Sequence, residues 1–452
     1  MKHQYNLFAV ASVCMAIVVL GCQSQDPFVQ ASQSMVPETP VQPKTGIYMQ
    51  GYALTDFAEP PQPVADYFAE EAGTVHFPYY ADGLLTFAVK VPEAELVSLW
   101  MNVQAGDEPD LMHRYLQTDW YWLTYRVPEK AVIRYHFNIK KHQDERYTLR
   151  DPRNPSVSAN APYESLWSSE AGASLGRLEY LEVPYDIPGR EKPAGYAPPA
   201  NRKLLIYVPP AYDDNPEERY PVIYMQDGQN AWDSGTANYG GWKTDRVMNQ
   251  LIGQNKIRKA IVVSIFNTNY RSDEYAGAGF AAAGRQGGQR SGEIAAYYRD
   301  WVISVLKPSI DNRYRTLPDA SNTGVLGSSY GGTVAIYWSL SRPDIFGFAG
   351  SLSYAPGDEV HLDGGMTSLC RDTYLPAIES QQGTYPRIWL DCGLNGLDKT
   401  LSPFVSALDQ VLQQGHYTPG PDYHFELFSG ADHNEAAWYR RLPAILEYLL
   451  HP

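Results

Sequence analysis

Two pentapeptides in the 452-residue chain place a serine between glycines two positions away on either side: Gly172-Ala173-Ser174-Leu175-Gly176 and Gly327-Ser328-Ser329-Tyr330-Gly331. A serine hydroxyl attacks a carbonyl only when a neighbour takes its proton and the turn that carries it presents it openly. Context separates the two motifs. The first follows a polar loop and precedes a strand-like run at 177–183, so it reads as an accident of composition. The second follows Thr323-Gly324-Val325-Leu326, a short strand, and precedes a helical run at 333–340 that stops before Pro343. Strand, tight turn and helix place a nucleophile at a helix N-terminus, where the helix dipole and N–H groups favour negative charge. Ser329 is therefore the candidate nucleophile.

The base that serves such a serine comes late in the chain, after the last strand. Tyr423-His424-Phe425-Glu426-Leu427-Phe428 reads as that strand, and 429–435 as the loop into a final helix carrying Trp438, Leu442, Ile445, Leu446 and Leu449 at helical spacing. His433, in the loop, is the candidate base. The acid should follow the preceding strand, Arg387-Ile388-Trp389-Leu390-Asp391-Cys392. Asp398, in the loop at 393–398, is better able to turn toward an imidazole, and Asp391 at the strand end is the alternative. Two backbone N–H groups would hold a developing oxyanion: that of Tyr330, and that of Gln229 in the loop Gln226-Asp227-Gly228-Gln229-Asn230 after an early strand. The Gln229 and Asn230 side chains have a second reading, as caps of the following segment. In this scheme His433 takes the Ser329 proton and Asp398 fixes the imidazole tautomer. No Cys/His spacing suggests a metal site.

These residues need a scaffold. From 176 to 452, strands alternate with helical stretches, which predicts a mostly parallel sheet of the α/β class. The helical run at 295–306 is expected to stop at Pro308. The segment at 276–292 is rich in Gly and Ala and is expected to form a loose lip over the pocket. Its Arg285 and Arg290 are candidates to meet an anionic substrate, or else lie in a solvated loop. Arg271 and Glu274 are expected to pair beneath it. Residues 47–155 show short strands with turn signals and predict a β-sandwich. There Trp120 and Trp122 are either substrate walls or, more simply, core aromatics. Residues 156–175 read as a linker.

Composition narrows the classes. With 44% apolar and 19% charged residues the chain is globular. A net charge of −15 argues against binding nucleic acid or anionic membrane through a general field. Residues 1–21 read as an export signal, ending Val19-Leu20-Gly21-Cys22, and 22–46 as a polar, Pro-rich tether. The Cys22 site resembles the lipobox of bacterial lipoproteins. That resemblance implies a lipid on Cys22 as the sole membrane attachment, and outer-membrane placement facing the periplasm or the cell surface. Cys370 and Cys392 then remain, as a disulfide or as two isolated thiols.

Further motifs carry a family resemblance. Leu111-Met112-His113-Arg114, Thr118-Asp119-Trp120-Tyr121 and Asp151-Pro152-Arg153-Asn154-Pro155 resemble the N-terminal domain of enterochelin esterases, which is related to immunoglobulin-like modules. Tyr224–Asn230, Arg271–Tyr275, Gly327–Gly332 and Asp432-His433-Asn434-Glu435-Ala436-Ala437-Trp438 resemble the putative-esterase family of enterochelin, feruloyl and acetyl-xylan esterases. The resemblance implies an α/β-hydrolase catalytic domain behind an immunoglobulin-like β-sandwich, and hydrolysis of a carboxylic ester without metal or organic cofactor. The substrate it implies is a small-molecule or oligosaccharide ester. Three readings follow: an esterase opening the trilactone of a catechol siderophore, an acyl (feruloyl or acetyl) esterase on polysaccharide, and a non-catalytic binding lipoprotein. Oligomeric state is not legible.

Overall fold

The computed structural model describes residues 48–71, 75–104, 109–158, 161–169, 175–232, 241–357, 360–381 and 385–452. The signal, Cys22, the tether and Gly172-Ala173-Ser174 lie outside the described residues. The chain forms two compact units, one ending at Asn154 but including Tyr163–Trp167, the other holding Pro155–Pro162 and Ser168–Pro452.

In the front unit, two antiparallel sheets enclose a common core. One runs through Ala53–Leu54, Trp120–Arg126, Leu84–Lys90 and Tyr79–Ala81; the other is centred on Val132–Lys141 and Ala94–Met101. Alternating side chains from both, among them Phe87, Leu123, Leu99 and Phe137, are fully buried together. The stretch at 156–175, expected as a linker, contains the strand Ala161–Ser168, which joins the second sheet. The unit also holds a helix that the strand pattern did not suggest, Gln62–Glu70. Its Phe68 stacks on Trp120 at 4.8 Å. Trp120 and Trp122 are both buried, which makes them core aromatics. The Asp-Pro-Arg-Asn-Pro segment is structural as well. Asp151 Oδ2 accepts from the Tyr135 hydroxyl at 2.7 Å, and the Arg153 guanidinium lies 4.1 Å from the Trp120 ring centre.

The second unit is built on eight strands: β1 (Arg177–Pro184), β2 (Asn201–Val208), β3 (Val222–Met225), β4 (Ile261–Ile265), β5 (Thr323–Ser328), β6 (Phe348–Leu352), β7 (Arg387–Gly393) and β8 (Tyr423–Phe428). They lie in the order β1-β2-β4-β3-β5-β6-β7-β8. β1 and β2 are antiparallel to their neighbours, and β4 through β8 are parallel. The inner strands are buried along their whole length, as continuous apolar runs covered on both faces require. One face is covered by α1 (Thr244–Gly253) and the C-terminal helix Glu435–Leu449. The other carries the helices between β4 and β5, between β5 and β6, and between β7 and β8.

Two expectations fail here. The segment at 276–292 is a tight helical hairpin: α2 (Arg271–Ala282) packs against α3 (Gly288–Trp301). Its glycines allow the approach, for a Cβ on Gly277 would sit 2.0 Å from the Ser291 carbonyl oxygen. The helix also does not stop at Pro308. It runs through a wide π turn, Val302–Leu306, into α4 (Lys307–Arg313). Pro308 falls where the π turn gives way to α4.

Candidate active site

β5 ends at Ser328, and α5 (Tyr330–Ser341) begins two residues later. Ser329 bridges them at φ 57° and ψ −127°, a conformation L-residues rarely adopt. The sharp turn leaves no room beside it. A Cβ on Gly327 would lie 2.5 Å from the Gly331 backbone, and one on Gly332 would lie 2.7 Å from Ser351 Oγ. The Ser329 N–H donates to the Leu352 carbonyl at 2.9 Å, which pins the turn to the end of β6.

Parallel register brings the later strand ends to the same edge. Ser328 lies opposite Leu352, Leu352 opposite Asp391, and Gly393 opposite Phe428. From the end of β7 the chain turns into α6 (Gly396–Gln414), which carries Asp398 in its first turn. From the end of β8 it passes through His433 into α7 (Glu435–Leu449), capped by the Asn434 side chain, which accepts from the Ala437 N–H at 3.0 Å. The two loops are tied by a bond from Asn395 Nδ2 to Asp432 Oδ1 at 2.7 Å.

His433 Nδ1 lies 2.6 Å from Asp398 Oδ1. Asp398 is fully buried, and its Oδ2 accepts from the Gly393 N–H and the Ser353 hydroxyl, each at 2.8 Å. Burial pushes its pKa up, but the bonds from His433, Ser353 and Gly393 outweigh that and hold it below the usual carboxylate value. Asp391, the alternative acid, points elsewhere. Its Oδ1 accepts from Arg441 Nη1 at 2.7 Å and its Oδ2 from Trp389 Nε1 at 2.8 Å. Burial raises its pKa to about 6, against the opposing pull of Arg441. Of the two carboxylates, Asp398 is the one beside the imidazole.

Tyr330 opens α5, and Gln229 sits in a single 3-10 turn, Gly228–Asn230, after β3. A Cβ on Gly228 would meet the Ser264 backbone at 2.6 Å, so the loop lies flat against β4. The Gln229 side chain accepts from the Asn267 N–H at 3.2 Å, and Asn230 Nδ2 donates to Glu435 Oε1 at 3.1 Å. The second bond ties this loop to the start of α7.

The expected pairing of Arg271 with Glu274 does not occur. Arg271 makes a two-pronged bond to Asp227, both prongs at 2.7 Å, while Glu274 pairs with the buried Arg202. The two hairpin arginines each make a contact within the second unit. Arg290 donates to the carbonyls of Ala194 and Gly195 at 2.8 and 2.7 Å, and the Arg285 guanidinium lies 4.3 Å from the Phe280 ring centre. Cys370 and Cys392 are separate buried thiols, so the disulfide option falls. Among the described residues, no group of three or more His, Cys, Asp or Glu is placed to hold a metal. Sequence reading missed Ser353 and Arg441. Neither lies in a motif, and each reaches the site only through the meeting of strand ends.

Comparison with known proteins places this site in a family. The family model described as "Putative esterase" matches residues 196–449. Over 206 residues the chain is 27% identical to the endo-1,4-beta-xylanase/feruloyl esterase of Xylanibacter ruminicola, covering 45% of this chain and 24% of that protein. It is 23% identical over 153 residues to the uncharacterized protein YbbA of Bacillus subtilis, covering 34% and 56%. The match thus spans about a quarter and just over half of those relatives. Among solved structures, the enterobactin esterase FES of Shigella flexneri aligns over 81% of this chain and 93% of its own, with 18% identity and a TM-score of 0.44. A ferulic acid esterase of Anaeromyces mucronatus aligns over 61% and 91%, with 16% identity and a TM-score of 0.42.

Proposed function

The chain belongs to the Putative esterase family, and on that premise we propose that it is a serine carboxylic-ester hydrolase of the α/β-hydrolase fold, with Ser329, His433 and Asp398 as its catalytic residues. The observation that carries this reading is the 2.6 Å bond between His433 Nδ1 and Asp398 Oδ1, on the same sheet edge as the strained Ser329 turn. With Nδ1–H committed to Asp398, Nε2 is the basic nitrogen. It takes the Ser329 proton as Oγ attacks the ester carbonyl, and the Tyr330 and Gln229 N–H groups receive the oxyanion. His433 then protonates the leaving alcohol. Water, deprotonated by the same nitrogen, releases the acid from Ser329.

The substrate we propose is an acyl ester of the feruloyl or acetyl kind on a saccharide. The sequence match to a xylanase/feruloyl esterase supports this. The trilactone of a catechol siderophore was the other expected ester. Its case rests on the resemblance to enterochelin esterases, front unit included, and on Arg285 and Arg290, which keep their charge in their contacts with Phe280, Ala194 and Gly195, as candidates to meet its own. We place the protein on the periplasmic or outer surface of the outer membrane through Cys22. Loss of membrane association in Cys22→Ala tests that.

The decisive experiment labels the protein with a fluorophosphonate and then compares products from feruloylated and acetylated oligosaccharides with those from a ferric catechol trilactone. Labelling at Ser329, lost in Ser329→Ala, together with release of ferulate or acetate, is expected. Full ester hydrolysis by Ser329→Ala would overturn the catalytic assignment. Cleavage of the trilactone alone would overturn the substrate.

A further inference from the structure

Ser353 follows β6 and is completely buried, and three groups reach its hydroxyl oxygen. Trp438 Nε1 lies 3.0 Å away, Arg441 Nη2 3.3 Å and Asp398 Oδ2 2.8 Å. An indole or guanidinium nitrogen can only donate, and a hydroxyl offers two lone pairs and one proton. The two donors fill both lone pairs, so the proton has one destination, Asp398 Oδ2. Arg441 is itself fixed by Asp391 at 2.7 Å, and the Asp391 carbonyl receives the Ser353 N–H at 2.8 Å. Asp398 thus meets donors from Gly393 and Ser353 at one oxygen, which leaves the other for His433. A carboxylate accepting everywhere requires His433 Nδ1 to carry a proton. Ser353 is held at φ 49°, a left-handed conformation that glycine would adopt at less cost.

We propose that Ser353 is a positioning residue: its hydroxyl, oriented by Trp438 and Arg441, holds Asp398 as an acceptor aimed at His433 and so sets the tautomer in which Nε2 is the base. The inference rests on the esterase reading and assigns a task to residues which that reading leaves idle. The groups facing Asp398 are His433, the Ser353 hydroxyl with Arg441 behind it, Asp391 and Cys392. Among the described residues, Ser353 is the side chain that donates to Asp398 Oδ2.

Ser353→Gly suits the backbone and deletes the hydroxyl together with its Cβ, and Ser353→Ala, which deletes the hydroxyl alone, is measured beside it. With p-nitrophenyl acetate, kcat is expected to fall about tenfold or more, the order set by losing one hydrogen bond to a charged acceptor, while KM stays within about twofold. The acid limb of the rate profile is expected to move to higher pH, because a carboxylate with fewer donors holds the imidazolium more firmly. Trp438→Phe removes one lone-pair partner and keeps an aromatic ring beside His433, so the limb should move in the same direction as in Ser353→Gly, but by less. In the parent protein, nitrogen NMR of His433 should find the proton on Nδ1 at neutral pH. A proton on Nε2 instead, or Ser353→Gly with parental kcat and acid limb, overturns the proposal. Fluorophosphonate labelling of Ser329 in the parent separates the two failures. With labelling intact only the role of Ser353 falls; without it the esterase reading falls and takes this inference with it.

Discussion

His433 Nδ1 and Asp398 Oδ1 stand 2.6 Å apart across 35 positions of sequence, whereas Asp391, only seven residues before Asp398, bonds to Arg441 and does not bond to the imidazole. The pleat explains the split. Asp391 lies inside β7, where its direction is set by the sheet, and Asp398 lies beyond the strand at the start of a helix, where the chain has turned. The two carboxylates should therefore fail differently. Asp398→Asn keeps the shape but no longer fixes the tautomer, and kcat should fall on the order of 10³–10⁴-fold with little change in melting temperature. Asp391→Asn leaves Arg441 buried and unpaired and should cost about 3–5 kcal/mol in chemical denaturation, with a much smaller loss of kcat in the folded fraction. Equal kinetic losses from both would remove the distinction.

The turn at Ser329 makes a second separation of function from stability. Its φ of 57° is strained for serine and natural for glycine. Ser329→Gly should stabilise the second unit by about 1 kcal/mol while abolishing fluorophosphonate labelling. A destabilised variant would mean that the side chain contributes packing that outweighs the backbone strain.

Ser329 and His433 are legible as candidates because each is announced locally, one by strand, glycine-flanked turn and helix, the other by a loop after a terminal strand. The acid stayed open because choosing between Asp391 and Asp398 depends on which way a strand end points, and spacing does not carry that. The partners of Arg271 and Glu274 were misread for a similar reason. Asp227 and Arg202 lie 44 and 72 positions away from them, and only folding brings them together. The hairpin of α2 and α3 reads in sequence as a loose lip because packing by glycine and alanine leaves little apolar periodicity to find. The front-unit helix Gln62–Glu70 buries only Val64 and Phe68, too short a signal to stand out among strands.

That hairpin supplies its own test. A Cβ on Gly279 would lie 1.9 Å from the Pro356 carbonyl oxygen, and one on Gly277 would lie 2.0 Å from that of Ser291. Backbone atoms cannot swing aside as a flexible side chain can. Gly279→Ala and Gly277→Ala should each lower stability by about 1–3 kcal/mol despite alanine's better helix propensity. Gly253→Ala, where no atom lies within 4 Å, is the control and should be near neutral. Calorimetry on the three variants checks the order, and stabilisation by the first two would show that the hairpin is loose.

The front unit carries a pH dependence of its own. His136 is buried, stacks on Trp100 at 4.9 Å, and its Nδ1 finds no hydrogen-bond partner among the described residues. Burial lowers its pKa to about 4 from an ordinary 6.5. In the unfolded chain the ring binds a proton below about 6.5, and in the folded one only below about 4. The unfolded state therefore holds more protons in that window, so stability is full above it and declines as the pH falls through it. The difference is worth about 3 kcal/mol at most. His136→Phe keeps a ring against Trp100 and removes the titration. Denaturation followed from pH 7 to pH 4 should show the parent losing more stability than the variant across that interval. Parallel losses would mean that buried carboxylates elsewhere, and not this imidazole, set the acid sensitivity.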